Sequence, residues 1–155
     1  VIGAREYIDV AARPGAKLDD GKLINVATRG QATAAEKLIG GFIITEQSRR
    51  VLVRAIGPGL TGLGVTNAIA DPKLTIYRSD APAGAAPVES NGDWSQRTDA
   101  TTTAQAAVAA GAFPLTAGSK DAALVVELAP GAYTVQVEPE TGAGGVALVE
   151  VYRLP

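Results

Sequence analysis

Three short stretches of this 155-residue sequence carry side chains that could do chemistry. Ser119-Lys120-Asp121 sets a hydroxyl, an amine and a carboxylate side by side, the ingredients of nucleophilic catalysis. Consecutive residues on one turn diverge, however, and do not converge on a single reacting atom. Asn91, Asp93 and Asp99 supply oxygens of the kind calcium takes. A calcium ion needs about six to eight of them, and this stretch lacks the spacing of a dedicated loop. It reads first as a turn and a helix cap, with the three residues as calcium candidates. Gly57-Pro58-Gly59, with Gly62 and Gly64, is rich enough in glycine for a phosphate loop. It has no Gly-Lys-Ser/Thr ending and no clear helix after it, so the reading is a turn.

Two further groups point to binding. Trp94 and Tyr77 could stack on a sugar, although a lone tryptophan is more often a core or loop anchor. Arg49, Arg50 and Arg54 form a small positive group. Arg54 follows the strand alternation and is expected to meet a buried carboxylate, whereas Arg49 and Arg50 read as solvated turn residues.

Histidine and cysteine are absent. Their loss removes the commonest general base, the soft metal ligands and the most easily activated nucleophile. No catalytic residue and no cofactor is therefore expected. Methionine is also absent, which leads to the expectation that Val1 is a processed start, left by signal-peptide cleavage or other removal. The net charge of −2 gives no basic footprint for nucleic acid, and no apolar run approaches the roughly 18 residues of a membrane span. Residues 1–54 hold nine basic and six acidic side chains, and residues 55–155 hold five and ten. That asymmetry raises the idea of head-to-tail complementarity between copies.

The elements that position these residues are short strands. Glu6–Ala11 alternates polar and apolar. Leu23–Thr28, Leu38–Thr45, Arg50–Ile56, Lys73–Arg78, Ala122–Leu128, Ala132–Val137 and Val146–Tyr152 follow, with turn residues between them. Ala32–Lys37 is either one helical turn or a polar loop. Leu38–Thr45 and Arg50–Ile56 are expected to pair as a hairpin, as are the two strands flanking Pro130-Gly131. Gly40-Gly41 suggests a bulge or a close backbone approach. Ala100–Ala110 reads as a helix capped by Thr98 or Asp99 and ended by Gly111. The sum is an all-β, sandwich or jelly-roll-like fold of about eight strands and one short helix.

Several blocks resemble a recurrent β-sandwich module of large secreted and surface-attached bacterial proteins. They include Leu23–Gly30, Leu38–Ile44, Val51–Leu60, Ala70–Tyr77, Asn91–Trp94, Gly118–Leu124 and Gly145–Tyr152. The resemblance implies export and a β-sandwich, and it assigns no catalytic residue. A weaker similarity, to the pre-peptidase C-terminal β-domain, rests on Leu74–Tyr77 and the Pro130–Val135 turn and strand.

Residues 1–22 lie outside those blocks and read as an N-terminal extension, with 23–155 as the sandwich domain. The extension either packs on its own domain or completes the sheet of a neighbour by strand donation. Tyr7, Ile8 and Val10 would make the donor contacts, and Pro14, Gly15 and Gly21 would shape the tether. The expected function is an extracellular structural subunit that self-assembles head-to-tail into a bacterial surface fibre or array. The alternative is an adhesive module of a larger secreted protein, for carbohydrate, a surface glycan for instance, or another target, with Trp94, Tyr77 and the Asn91–Asp99 loop in contact.

Overall fold

The computed structural model describes residues 25–155. Eight strands run in chain order as β1 (Asn25–Ala32), β2 (Leu38–Ile44), β3 (Arg49–Ile56), β4 (Pro72–Arg78), β5 (Glu89–Asn91), β6 (Ala122–Leu128), β7 (Gly131–Pro139) and β8 (Gly145–Arg153). Among the described residues, helical structure is limited to α1 (Pro58–Thr61), α2 (Ala100–Ala109) and a 3-10 turn at Trp94–Gln96. The strands form two four-stranded sheets, β1-β8-β3-β6 and β2-β7-β4-β5. Every pairing within them is antiparallel. The chain is a β-sandwich, as the strand pattern predicts.

Period-two alternation builds the core. From the first sheet, Val51, Val53 and Ala55 of β3, Leu124 of β6 and Val149 of β8 point inward. They meet Leu74 and Ile76 of β4 and Val135 and Val137 of β7. The other face of the first sheet is covered too. Leu52 and Tyr152 there pack against Ala106 and Ala107 of α2, with Ala112 and Leu154. β3 therefore lies between two apolar layers, and its residues from Val51 to Ile56 are all buried. A strand enclosed on both faces reads as a continuous apolar run, which is what Val51–Ile56 shows apart from Arg54.

Neither expected hairpin forms. β2 bonds to β7, whereas β3 lies between β6 and β8 in the other sheet. β6 and β7 likewise belong to different sheets. Both turns carry the chain across the sandwich. Glu46 takes a positive φ of 65° at the first crossing. At the second, Tyr133 Oη donates to the Ala129 carbonyl at 2.8 Å, and Arg78 Nη2 donates to the Pro130 carbonyl at 3.1 Å. A tyrosine hydroxyl returning to upstream backbone is a known corner device of sandwiches.

Other local expectations also change. Gly40-Gly41 produces no bulge, because the β2·β7 register is unbroken from Leu38 to Ile44. A Cβ at either glycine would meet only ordinary contacts. Residues 33–37 form a loop closed by Glu36 N donating to Thr33 Oγ1 at 2.8 Å. A helical turn, α1, does follow Gly57. Asp99 occupies the N-cap position of α2 without a side-chain cap bond, since Arg97 Nε takes its carboxylate at 2.8 Å. Gly111 ends the helix region with φ of 71°, as expected.

Candidate self-association site on the open side of the sandwich

The two lateral sides of the sandwich differ. One side is laced shut. Its edge strands are β5, only three residues long, and β6, seven residues long, against which α2 packs. Asn91 Oδ1 accepts from Ala123 N of the other sheet at 2.9 Å, and Trp94 N donates to the Asp121 carbonyl at 3.0 Å. The opposite side is bounded by β1 and β2, eight and seven residues long. Each has a hydrogen-bonded strand on one edge only, among the described residues.

Natural sheets blunt such edges with proline, lysine, bulges or very short strands. β2, Leu38-Ile39-Gly40-Gly41-Phe42-Ile43-Ile44, has none of these and carries no charge. Its outward-facing Ile39 and Ile43 are 55% and 70% exposed. The inward-facing positions near the opening are only half-buried: Val26 and Thr28 on β1, Leu38 and Phe42 on β2. Phe42 stacks on Tyr133 with ring centroids 5.6 Å apart. The apolar interior is thus incompletely covered along this side.

Beside β1, on the outer face of its sheet, lies a groove of about 350 Å³. Ala27 and Arg29 of β1, Leu148 of β8, Leu60 of α1, and Leu63 and Val65 beyond it line it with Thr28. Its far wall is held by a buried carboxylate. Asp121 Oδ1 accepts from Gly57 N at 2.8 Å and Gly59 N at 3.1 Å, and Oδ2 accepts from Ser119 Oγ at 2.8 Å. Gly57 has to be glycine, because a Cβ there would strike the Ile69 carbonyl oxygen. Two motifs that are far apart in sequence therefore meet in one staple that places α1 over β1.

A second buried polar group sits under α2. Arg54 Nη1 donates to the Phe113 carbonyl at 2.8 Å, and its guanidinium lies 4.4 Å from the centre of the Phe113 ring. Its Nε is 3.2 Å from Glu150 Oε2, close enough to pair though not aligned as a hydrogen bond. Tyr152 Oη donates to Glu150 Oε1 at 2.8 Å. Burial pushes Arg54 below its usual range, against the opposing pull of Glu150. Burial, and next the bond to Glu150, pushes the Tyr152 phenol up to about 12. Arg54 does meet a buried carboxylate, as its place in the strand alternation predicts.

The other predicted residues are dispersed. Ser119, Lys120 and Asp121 diverge: Ser119 and Asp121 join the staple, and Lys120 Nζ turns to Asp93 Oδ2 at 2.9 Å. The three calcium candidates have protein partners. Asn91 binds Ala123 N and the Asp93 carbonyl, Asp93 binds Lys120, and Asp99 binds Arg97. The Arg97 hydrogen bond holds the Asp99 carboxyl below its usual range. Among the described residues, no group of three or more His, Cys, Asp or Glu is arranged to hold a metal. Trp94 is 8% exposed, and its Nε1 donates to the Thr116 carbonyl at 3.2 Å, so it anchors a turn. Tyr77 is half-buried on β4. Arg49 is part of β3 and half-buried, and Arg50 is exposed. Tyr7, Ile8, Val10, Pro14, Gly15 and Gly21 lie outside the described residues.

Sequence reasoning passed over Ile39, Ile43, Arg29 and the groove. The signal for the isoleucines was present, since a strand in which both faces are apolar must cover both. The groove had no local signal, because its walls come from three separate segments.

No family model and no curated protein matches the chain. A solved structure that is similar in fold is the pre-peptidase C-terminal domain of collagenase from Bacillus anthracis. The identity is 8% and the TM-score 0.49, over 83% of this chain and 89% of that one. Among the described residues, no helix is long and apolar enough to cross a membrane.

Proposed function

We propose that this chain is a non-catalytic structural subunit, exported to the bacterial surface, that self-assembles head-to-tail by strand addition at its open side. The observation that carries the reading is the pair of edges, β1 and β2, that no strand among the described residues pairs, bounding a half-covered apolar interior. Such an edge is a template for another strand. The 24 residues that precede β1 in the sequence include the alternating stretch Glu6–Ala11, of the length and pattern that strand addition uses. A contact made head-to-tail does not close on itself and propagates as a fibre. Export is supported by the resemblance to surface-attached modules and by the absence of cysteine, histidine and methionine, which leaves an oxidation-resistant surface.

Deleting Val1–Ala12 tests the proposal. The truncated protein should remain folded and become monomeric in light scattering and featureless by electron microscopy, while the full chain forms polymers. Polymers of unchanged length from the truncated chain would reject it.

A further inference from the structure

We infer that the strand acceptor is the edge of β1 that no described strand pairs, with the groove beside it, and that its occupant is residues 6–11 of this chain. The inference deepens the self-assembly reading and rests on it for one point only, that the segment comes from a neighbouring copy.

A strand laid along β1 continues both faces of the first sheet. Alternate side chains on one face point into the half-covered interior beside Val26 and Thr28, opposite Leu38 and Phe42. Those on the other face point toward Ala27, Arg29 and the groove. The segment Glu6-Tyr7-Ile8-Asp9-Val10-Ala11 has that division. Glu6, Ile8 and Val10 share one face; Ile8 and Val10 suit the interior, and Glu6, at the end of the strand, keeps its carboxylate in water at the rim. Tyr7, Asp9 and Ala11 share the other, where an aromatic ring and a methyl group cover the apolar lining of Leu60, Leu63 and Val65. Leu63 is 67% exposed, so that lining stands in need of cover.

Charge gives the register. Among the described residues Arg29 is the one cation lining the groove, and it pairs with no carboxylate there. Asp9 lies at the centre of the proposed strand, on the face that meets Arg29. Reach is sufficient. The thirteen residues from 12 to 24 extend up to about 45 Å, against about 27 Å for the length of β1.

The chain has no cysteine, so introduced thiols report single contacts. The full chain carrying Asp9→Cys with Arg29→Cys should give a ladder of covalent oligomers on mild oxidation. Asp9→Cys with Ile39→Cys, on the other edge, should give none. A link within one chain at position 29 would keep the β1 assignment and overturn the assembly reading. A link to position 39, or no link at either, would overturn the inference and leave assembly to be judged by the deletion of 1–12. In the cysteine-free chain, Arg29→Asp should weaken association severalfold, and adding Asp9→Arg should restore it. Failure to restore it would remove the ion pair from the proposal.

Discussion

At the scale of single residues, two buried polar groups do structural work of different kinds. Asp121 joins the β3–α1 turn to the start of β6 by accepting three hydrogen bonds. Asp121→Ala would leave the buried Gly57 N–H without a partner and release α1, which forms the groove wall. The expected loss is about 3 kcal/mol in urea unfolding, against about 1 kcal/mol for Ser119→Ala, which removes only one donor. Equal losses would mean that the carboxylate is not the hub. Tyr152 makes a pH prediction. Its neutral phenol donates to Glu150, and its folded value of about 12 lies above an unfolded value of about 10. The folded state holds this proton more tightly, so the stability it adds is complete below about pH 10. It falls away as pH rises through about 12. The difference in urea midpoint between the wild type and Tyr152→Phe should be flat below pH 10 and shrink above it. A difference that stays constant to pH 12 would contradict the assignment.

At the scale of elements, the open side can be closed to a partner without unfolding the domain. Thr28 faces inward on β1, across the gap from β2, where its Cγ2 would lie 3.8 Å from a Cβ placed at Gly40. A lysine there can extend its ammonium out through the opening, as long basic side chains do, and inward-pointing charge is a natural guard of sheet edges. Thr28→Lys should abolish association, measured by light scattering, while costing less than about 1 kcal/mol of stability. Association that survives would move the acceptor away from β1. The same scale shows what the sequence could reveal. Strand existence was legible because alternation is local: Leu74 and Ile76 point inward as their spacing says, and α2 stops at Gly111. Strand partners were not. Glu46–Ser48 and Ala129-Pro130 look like hairpin turns, yet whether a reversal stays in its sheet or crosses depends on strands far away in sequence. At the first turn β2 takes β7 and β3 takes β8, and at the second β6 takes β3 while β7 takes β2 and β4. For the same reason the Asp121 staple was invisible. Its backbone donors, Gly57 and Gly59, lie 64 and 62 residues from the acceptor.

At the scale of the whole molecule, the fold disposes of the simplest electrostatic account of assembly. The first third of the sequence is basic and the rest acidic, but the strands of both parts alternate within the first sheet, and the one strand of the basic part in the second sheet, β2, carries no charge. β1 and β3 are interleaved with β8 and β6, and β2 lies beside β7. The linear asymmetry therefore does not become a positive end and a negative end. Many of the charges are already spent on local pairs, such as Lys37 with Glu138 at 3.0 Å and Lys120 with Asp93 at 2.9 Å. Association through β1 would draw on main-chain hydrogen bonds and apolar cover, with the Asp9–Arg29 pair as an exposed minority contribution that salt screens. The expected result is a dissociation constant that changes by less than about threefold between about 50 mM and about 500 mM sodium chloride. A drop of a hundredfold over that range, read by sedimentation, would show that opposed charge holds the copies together, and the strand-addition account would then lose its physical basis.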